Sequence, residues 1–216
     1  MKKTNRTEIV FILDRSGSMG GLEGDTIGGY NSFLEKQQRQ KGEARITTVL
    51  FDDKYELLHD RIDLQGVNPI TANDYYVRGS TALLDAIGKS IHKIETAQKN
   101  SKPEYRADNV IFVITTDGME NASREYSYGK IKTMIERKKS KHNWEFIFLG
   151  ANIDAIEVAE SFGIASNRVQ NFHADTEGLA CFFSVASDAV GSYRDRYCLS
   201  DDWGAELEED YESRKA

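Results

Sequence analysis

The sequence predicts a doubly wound, Rossmann-like α/β domain with a mostly parallel six-stranded sheet, helices on both faces, and one antiparallel strand. Three observations carry this. The runs IVFIL at 9–13 and VIFVIT at 110–115 are apolar at every position, as a strand must be when both faces of its sheet are covered. Segments of helical period separate such runs, so strand and helix alternate along the chain. The strands expected at 44–51 and 54–59 are joined only by Asp52-Asp53, too short for a parallel crossover, so that pair is a hairpin.

Taken in order, the first strand spans 8–13 and stops at Asp14. Leu22, Ile27, Tyr30 and Leu34 then recur near helical spacing, giving a helix over 22–40 in which Gly28 and Gly29 lower propensity but permit close packing. The hairpin follows, then an irregular connection over 61–79. Leu83, Ile87, Ile91 and Ile94 step by three or four and set one apolar helical face beginning near Ala82. Residues 101–109 are polar and contain Pro103, hence a loop before the strand at 110–115. Tyr128, Ile131 and Ile135 mark the next helix, 144–149 the fifth strand, 155–162 a helix stopped by Gly163, 169–172 the last strand and 176–193 the last long helix. Residues 1–199 are expected to form one domain. Residues 200–216 are acidic and poorly periodic, a mobile tail or a short docked extension.

Composition narrows the function classes. The net charge is −7, much of it from the tail, so a general nucleic-acid footprint is not expected. The cluster ERKKSKH at 136–142 closes a predicted helix, where cations suit the helix dipole, and it reads as a solvated helix end. No run approaches the roughly 20 apolar residues of a membrane span. The short apolar run after the basic N-terminus is broken by Asp14 and Arg15 and lacks a small-residue cleavage site, so a cytoplasmic protein is expected. Cys181 and Cys198 have no zinc spacing; Cys181, beside Phe182 and Phe183, reads as a small buried hydrophobe.

In doubly wound sheets, ligands bind beyond the carboxyl ends of the strands where the winding reverses. Two strands end there in oxygen-rich stretches: Asp14, Ser16 and Ser18 after the first, and Asp117 in TTDG after the fourth. Ser80 and Thr81 precede the helix between them. Brought together, they offer only hard oxygen donors, which favour Mg²⁺, Mn²⁺ or Ca²⁺ over Zn²⁺ or Cu²⁺. Each also has a plain structural role: Asp14, Ser16 and Ser18 as turn formers, Thr81 as a helix N-cap. Glu120 and Asn121 read as loop stabilisers, Asp85 as solvated or capping, and Tyr75-Tyr76 as either packing or part of a binding face. Gly17, Gly20 and Gly21 match neither phosphate-loop pattern, and the four histidines lie away from these stretches.

Asp14-Arg15-Ser16-Gly17-Ser18, Thr81 in GSTALLDAIG and Asp117 in TTDG together resemble the metal-ion-dependent adhesion site of von Willebrand factor A domains. The resemblance covers about residues 8–193 and is similar to stand-alone bacterial or phage members. It implies a sheet ordered 3-2-1-4-5-6 with strand 3 antiparallel. Ser16 and Ser18 would be direct ligands of the metal, Thr81 a direct ligand in the partner-engaged form, and Asp14 and Asp117 direct or water-mediated ones. It further implies a non-catalytic module whose metal, Mg²⁺ or else Mn²⁺ or Ca²⁺, takes a carboxylate from another protein. Intracellular bacterial members often serve multi-subunit machines, including AAA+ ATPase systems. Val77 stands where a proline is expected in related bacterial sequences. The competing class is a Mg²⁺-dependent phosphohydrolase. Ser16 occupies the position of its second aspartate, and no lysine or histidine is placed by motif for general acid–base work.

Overall fold

The computed structural model describes residues 6–215. Six strands, β1 (Arg6–Asp14), β2 (Glu43–Phe51), β3 (Tyr55–Asp63), β4 (Asn109–Thr116), β5 (Glu145–Gly150) and β6 (Val169–Asn171), form one sheet in the order β3-β2-β1-β4-β5-β6. Every pairing is parallel except β2 with β3. The expected order and antiparallel hairpin are therefore both present. The helices are α1 (Glu23–Gln38), α2 (Leu83–Asn100), α3 (Tyr128–His142), α4 (Ala155–Ser161), α5 (Thr176–Arg196) and α6 (Ala205–Ser213). Among the described residues, no helix is long and apolar enough to cross a membrane.

Strand alternation divides the apolar run of β1 between two cores. Ile9, Phe11 and Leu13 point to the face covered by α1 and α5, and Val10 and Ile12 to the face covered by α2 and α3. Phe11 meets Tyr30, Phe33 and Phe183 with ring centroids 5.1–6.1 Å apart. Burying each such side chain contributes about 1.5–3 kcal/mol. Gly29 is what lets α5 approach: a Cβ there would lie 2.0 Å from the Phe183 ring. The chain leaves β1 toward β2 and leaves the adjacent β4 toward β5 on the opposite side, so the carboxyl ends of β1 and β4 form the switch point of the fold.

Several local expectations change. β3 continues to Asp63, with register irregularities opposite Ile46–Thr48 and a left-handed Arg61 at φ 50°. The basic end of α3 is not wholly solvated: Lys138 is buried, pairs with Glu95 at 2.6 Å and sits 4.8 Å from the Trp144 ring centroid. Tertiary packing there overrides the helix-end preference. Cys181 is half-buried against the core and Cys198 is exposed; both are free thiols. In the acidic C-terminal stretch, α6 docks on the domain through fully buried Leu207. Further ties run from the Trp203 indole to the Asn167 carbonyl and from Arg214 to Asp175.

Candidate metal centre at the sheet rim

β1 delivers Asp14 to the rim, and the turn after it folds back so that the Ser16 amide donates to Asp14 Oδ1 at 2.7 Å. A short 3₁₀ turn over Gly17–Met19 then carries Ser18 over the end of β4. The Ser16 and Ser18 hydroxyls are 3.2 Å apart, and Ser18 Oγ donates to Asp117 Oδ1 at 2.6 Å. Thr81 joins them: a Cβ placed on Gly118 would lie 3.3 Å from Ser18 Oγ and 3.5 Å from Thr81 Oγ1. The residues singled out in the sequence thus gather at the carboxyl ends of β1 and β4. Asp14, Ser16, Thr81 and Asp117 are buried, and Ser18 is exposed. The cluster is rooted in the sheet and opens to solvent at Ser18.

The capping role open to Thr81 falls to other residues. Glu120 Oε2 accepts from the Leu84 amide and Ser123 Oγ from the Asp85 amide, which satisfies the start of α2. Thr81 is itself oriented by Asn121, whose side-chain oxygen accepts the Thr81 amide at 2.9 Å. Asp85 accepts the amides of Arg124, Glu125 and Tyr126 and holds that loop. Glu120, Asn121 and Asp85 are therefore supports for the rim.

Four further supports lie outside the expected ligand set. Thr116 Oγ1 donates to Asp14 Oδ2 at 2.6 Å, and Tyr75 donates to the Asp14 carbonyl at 2.6 Å. Asp52 links the loops. Its Oδ2 accepts from Arg15 at 3.2 Å and Arg78 at 2.5 Å, and its carbonyl accepts the Ala82 amide. Gly79, left-handed at φ 68°, offers its carbonyl to the Gly17 amide. Of the tyrosine pair, Tyr75 is buried, while Tyr76 is exposed with the Arg15 and Arg78 guanidiniums each 5.4 Å from its ring centroid.

Electrostatics at the rim are unbalanced. Burial raises the Asp14 carboxyl, against hydrogen bonds from Thr116 and Ser16 that lower it. Burial likewise raises Asp117, against the Ser18 hydrogen bond. Arg15, the adjoining cation, is turned to Asp52 and Glu56. Asp117 Oδ2 is buried without a hydrogen-bond partner, a costly state for a carboxylate oxygen. Two carboxylates, one with an orphaned anionic oxygen, and three hydroxyls fit a hard divalent cation. Among the described residues, no group of three or more His, Cys, Asp or Glu is placed to hold a metal ion, so any such site depends on the hydroxyls.

No protein-family model matches the chain, and no curated protein matches its sequence. Solved structures do. Proximal thread matrix protein 1 from the mussel byssus has a TM-score of 0.57 and 14% identity over 86% of this chain and 46% of that one. Another structure of the mussel protein is described as having a zinc-occupied MIDAS motif. A von Willebrand factor type A protein from Catenulispora acidiphila gives 0.59 and 14% identity over 87% of this chain and 43% of that one. The SpRpn10 VWA domain gives 0.54 and 10% identity over 84% of this chain and 94% of that one. The chain thus spans less than half of the mussel and Catenulispora chains and nearly all of the SpRpn10 domain. With the sheet order, the antiparallel β3 and these likenesses in hand, the chain has the fold of a von Willebrand factor A domain.

Proposed function

We propose that this chain is a non-catalytic protein-binding module that holds one divalent cation, Mg²⁺ or else Mn²⁺ or Ca²⁺, at the rim of its sheet. The single observation that carries the proposal is the buried Asp117 carboxylate, with one oxygen bonded to Ser18 and the other without a partner. Ser16, Ser18 and Thr81 would supply neutral ligands, with Asp14 and Asp117 supplying the charge. The bound ion would offer an electrophilic position to an Asp or Glu carboxylate of another protein. With only two carboxylates in the set, its charge is at most balanced, so it retains affinity for a visiting anion.

The chain's own part is to hold these groups in place. Thr116 and the Ser16 amide orient the two oxygens of Asp14, and Asn121 orients the Thr81 backbone. The partner class suggested by the resemblance is a subunit of a multi-protein machine such as an AAA+ ATPase system. Capture of proteins from lysate on the immobilised chain, with Mg²⁺ and with chelator, tests this. Specific partners should be retained with Mg²⁺ and lost with chelator or in Asp117→Ala. Capture indifferent to both overturns the proposal. Phosphatase turnover that vanishes in Asp14→Asn would favour the hydrolase class instead.

A further inference from the structure

The loop that carries Asp117 continues into the most exposed large apolar side chain of the described residues, Met119, at 68% exposure. Met119 forms one wall of a groove of about 450 Å³, with Tyr128, Ile153 and Val158 completing its apolar lining. The groove lies at the same rim as the candidate metal centre: Ile153 follows the carboxyl end of β5, and Tyr128 opens α3. Its floor is anchored, since Tyr128 stacks on Phe162 at 6.4 Å and Phe162 packs edge-on against Phe148 of β5. Two carboxylates, Asp154 and Glu157, edge the groove. Both are exposed; Asp154 caps α4, its Oδ1 accepting the Glu157 amide at 3.0 Å, and neither carboxylate is in an ion pair among the described residues.

This combination has one matching chemistry. An apolar floor takes an apolar side chain, and carboxylate oxygens at its edge that lack a cationic partner, on Glu157 and on the outer side of the Asp154 cap, take a cation. Met is suited to such a wall, because its flexible, polarisable side chain adapts to the shape of what it meets. The geometry points to a partner segment that places, beside the carboxylate presented to the rim metal, an apolar side chain in the Met119–Tyr128 groove and a Lys or Arg against Asp154 and Glu157. This rests on the metal-binding proposal for the carboxylate but not for the groove. It makes the partner motif bipartite: acid at the metal, apolar plus basic beyond Met119. An acidic stretch alone would be repelled at the α4 side, which is how the surface would discriminate among carboxylate-bearing proteins.

A random-peptide display library selected on the full chain in Mg²⁺ tests the groove. The expected consensus holds an acidic residue, an apolar residue and a Lys or Arg. Met119→Ser should weaken the selected peptides about tenfold or more, from lost apolar contact. Glu157→Lys should remove or invert the basic preference; circular dichroism would check that α4 is retained. Peptides released by chelator but lacking the apolar and basic positions, an unchanged consensus on Glu157→Lys, or no enrichment at all would overturn the groove. Peptides that keep the apolar–basic pair and respond to Met119→Ser, yet ignore chelator, would support the groove and overturn the metal reading.

Discussion

Burial shifts the Asp14 carboxyl from its ordinary 3.8 up to about 6, so at the scale of single residues a proton would compete with the proposed cation for the same oxygens. The sign follows from linkage. A carboxyl whose folded value is raised lends the metal-free fold stability below the unfolded value. That stability is lost as pH rises through the folded value, here between 3.8 and about 6. Asp117 is raised by burial and acts in the same direction. A cation that neutralises both removes the penalty where it is largest. Mg²⁺ should therefore raise the melting temperature clearly at about pH 7.5 and far less at about pH 5. An equal shift at both pH values would contradict it. At this scale the sequence was legible where donors cluster locally, as in Asp14, Ser16 and Ser18. Thr116 was not marked out, and the rim-supporting bonds of Tyr75 and Asn121 could not be read, because these three bonds span 102, 61 and 40 residues and only the fold creates them.

At the scale of elements, the β2–β3 hairpin does more than edge the sheet. Burial alone would raise Asp52, but the Arg78 hydrogen bond, the Lys54 amide and the Arg15 charge hold it below its ordinary value. Through Arg15 it fixes the loop after β1, and through Arg78 and the Ala82 amide it fixes the segment bearing Thr81. Read from the sequence, Asp52 was only a turn residue; its role depends on two arginines arriving from distant loops. Asp52→Asn should weaken the bonds to Arg15 and Arg78 while Glu56 still pairs with Arg15 at 2.6 Å, costing about 1.5–3 kcal/mol. It should also weaken Mn²⁺ binding roughly tenfold, as loss of a support behind metal ligands typically does. Calorimetric titration on the folded variant checks the second effect, and unchanged affinity would confine Asp52 to stability. The helix α6 illustrates the same limit of sequence reading. Its acidic composition hid one fully buried leucine, Leu207. Truncation after Leu199 should lower stability by at least about 1.5–3 kcal/mol through that side chain alone, measurable by urea denaturation. No change would mean that α6 contributes nothing in solution.

At the scale of the whole molecule, the doubly covered sheet and its hairpin were legible because their causes are repetitive or local, whereas the strand order was implied only by the resemblance to von Willebrand factor A domains. Apolar runs at every position demand a doubly covered sheet, and the two-residue Asp52-Asp53 link demands a hairpin at its edge. The same order sets β1 beside β4, so loops nearly 100 residues apart, at Ser18 and Asp117, meet within 2.6 Å. The Met119–Tyr128 groove was not legible, since it joins residues of two loops and two helices with no shared period. The fold thus builds an oxygen-lined rim beside an apolar groove, and by the proposal above that rim takes one divalent ion. Titration of the chain with Mn²⁺, followed by electron paramagnetic resonance, tests this most directly. One Mn²⁺ per chain should bind and be displaced by Mg²⁺, and Asp117→Ala should lose binding with its circular dichroism spectrum retained. Absence of binding, or Mn²⁺ affinity unaltered by Asp117→Ala, would contradict it.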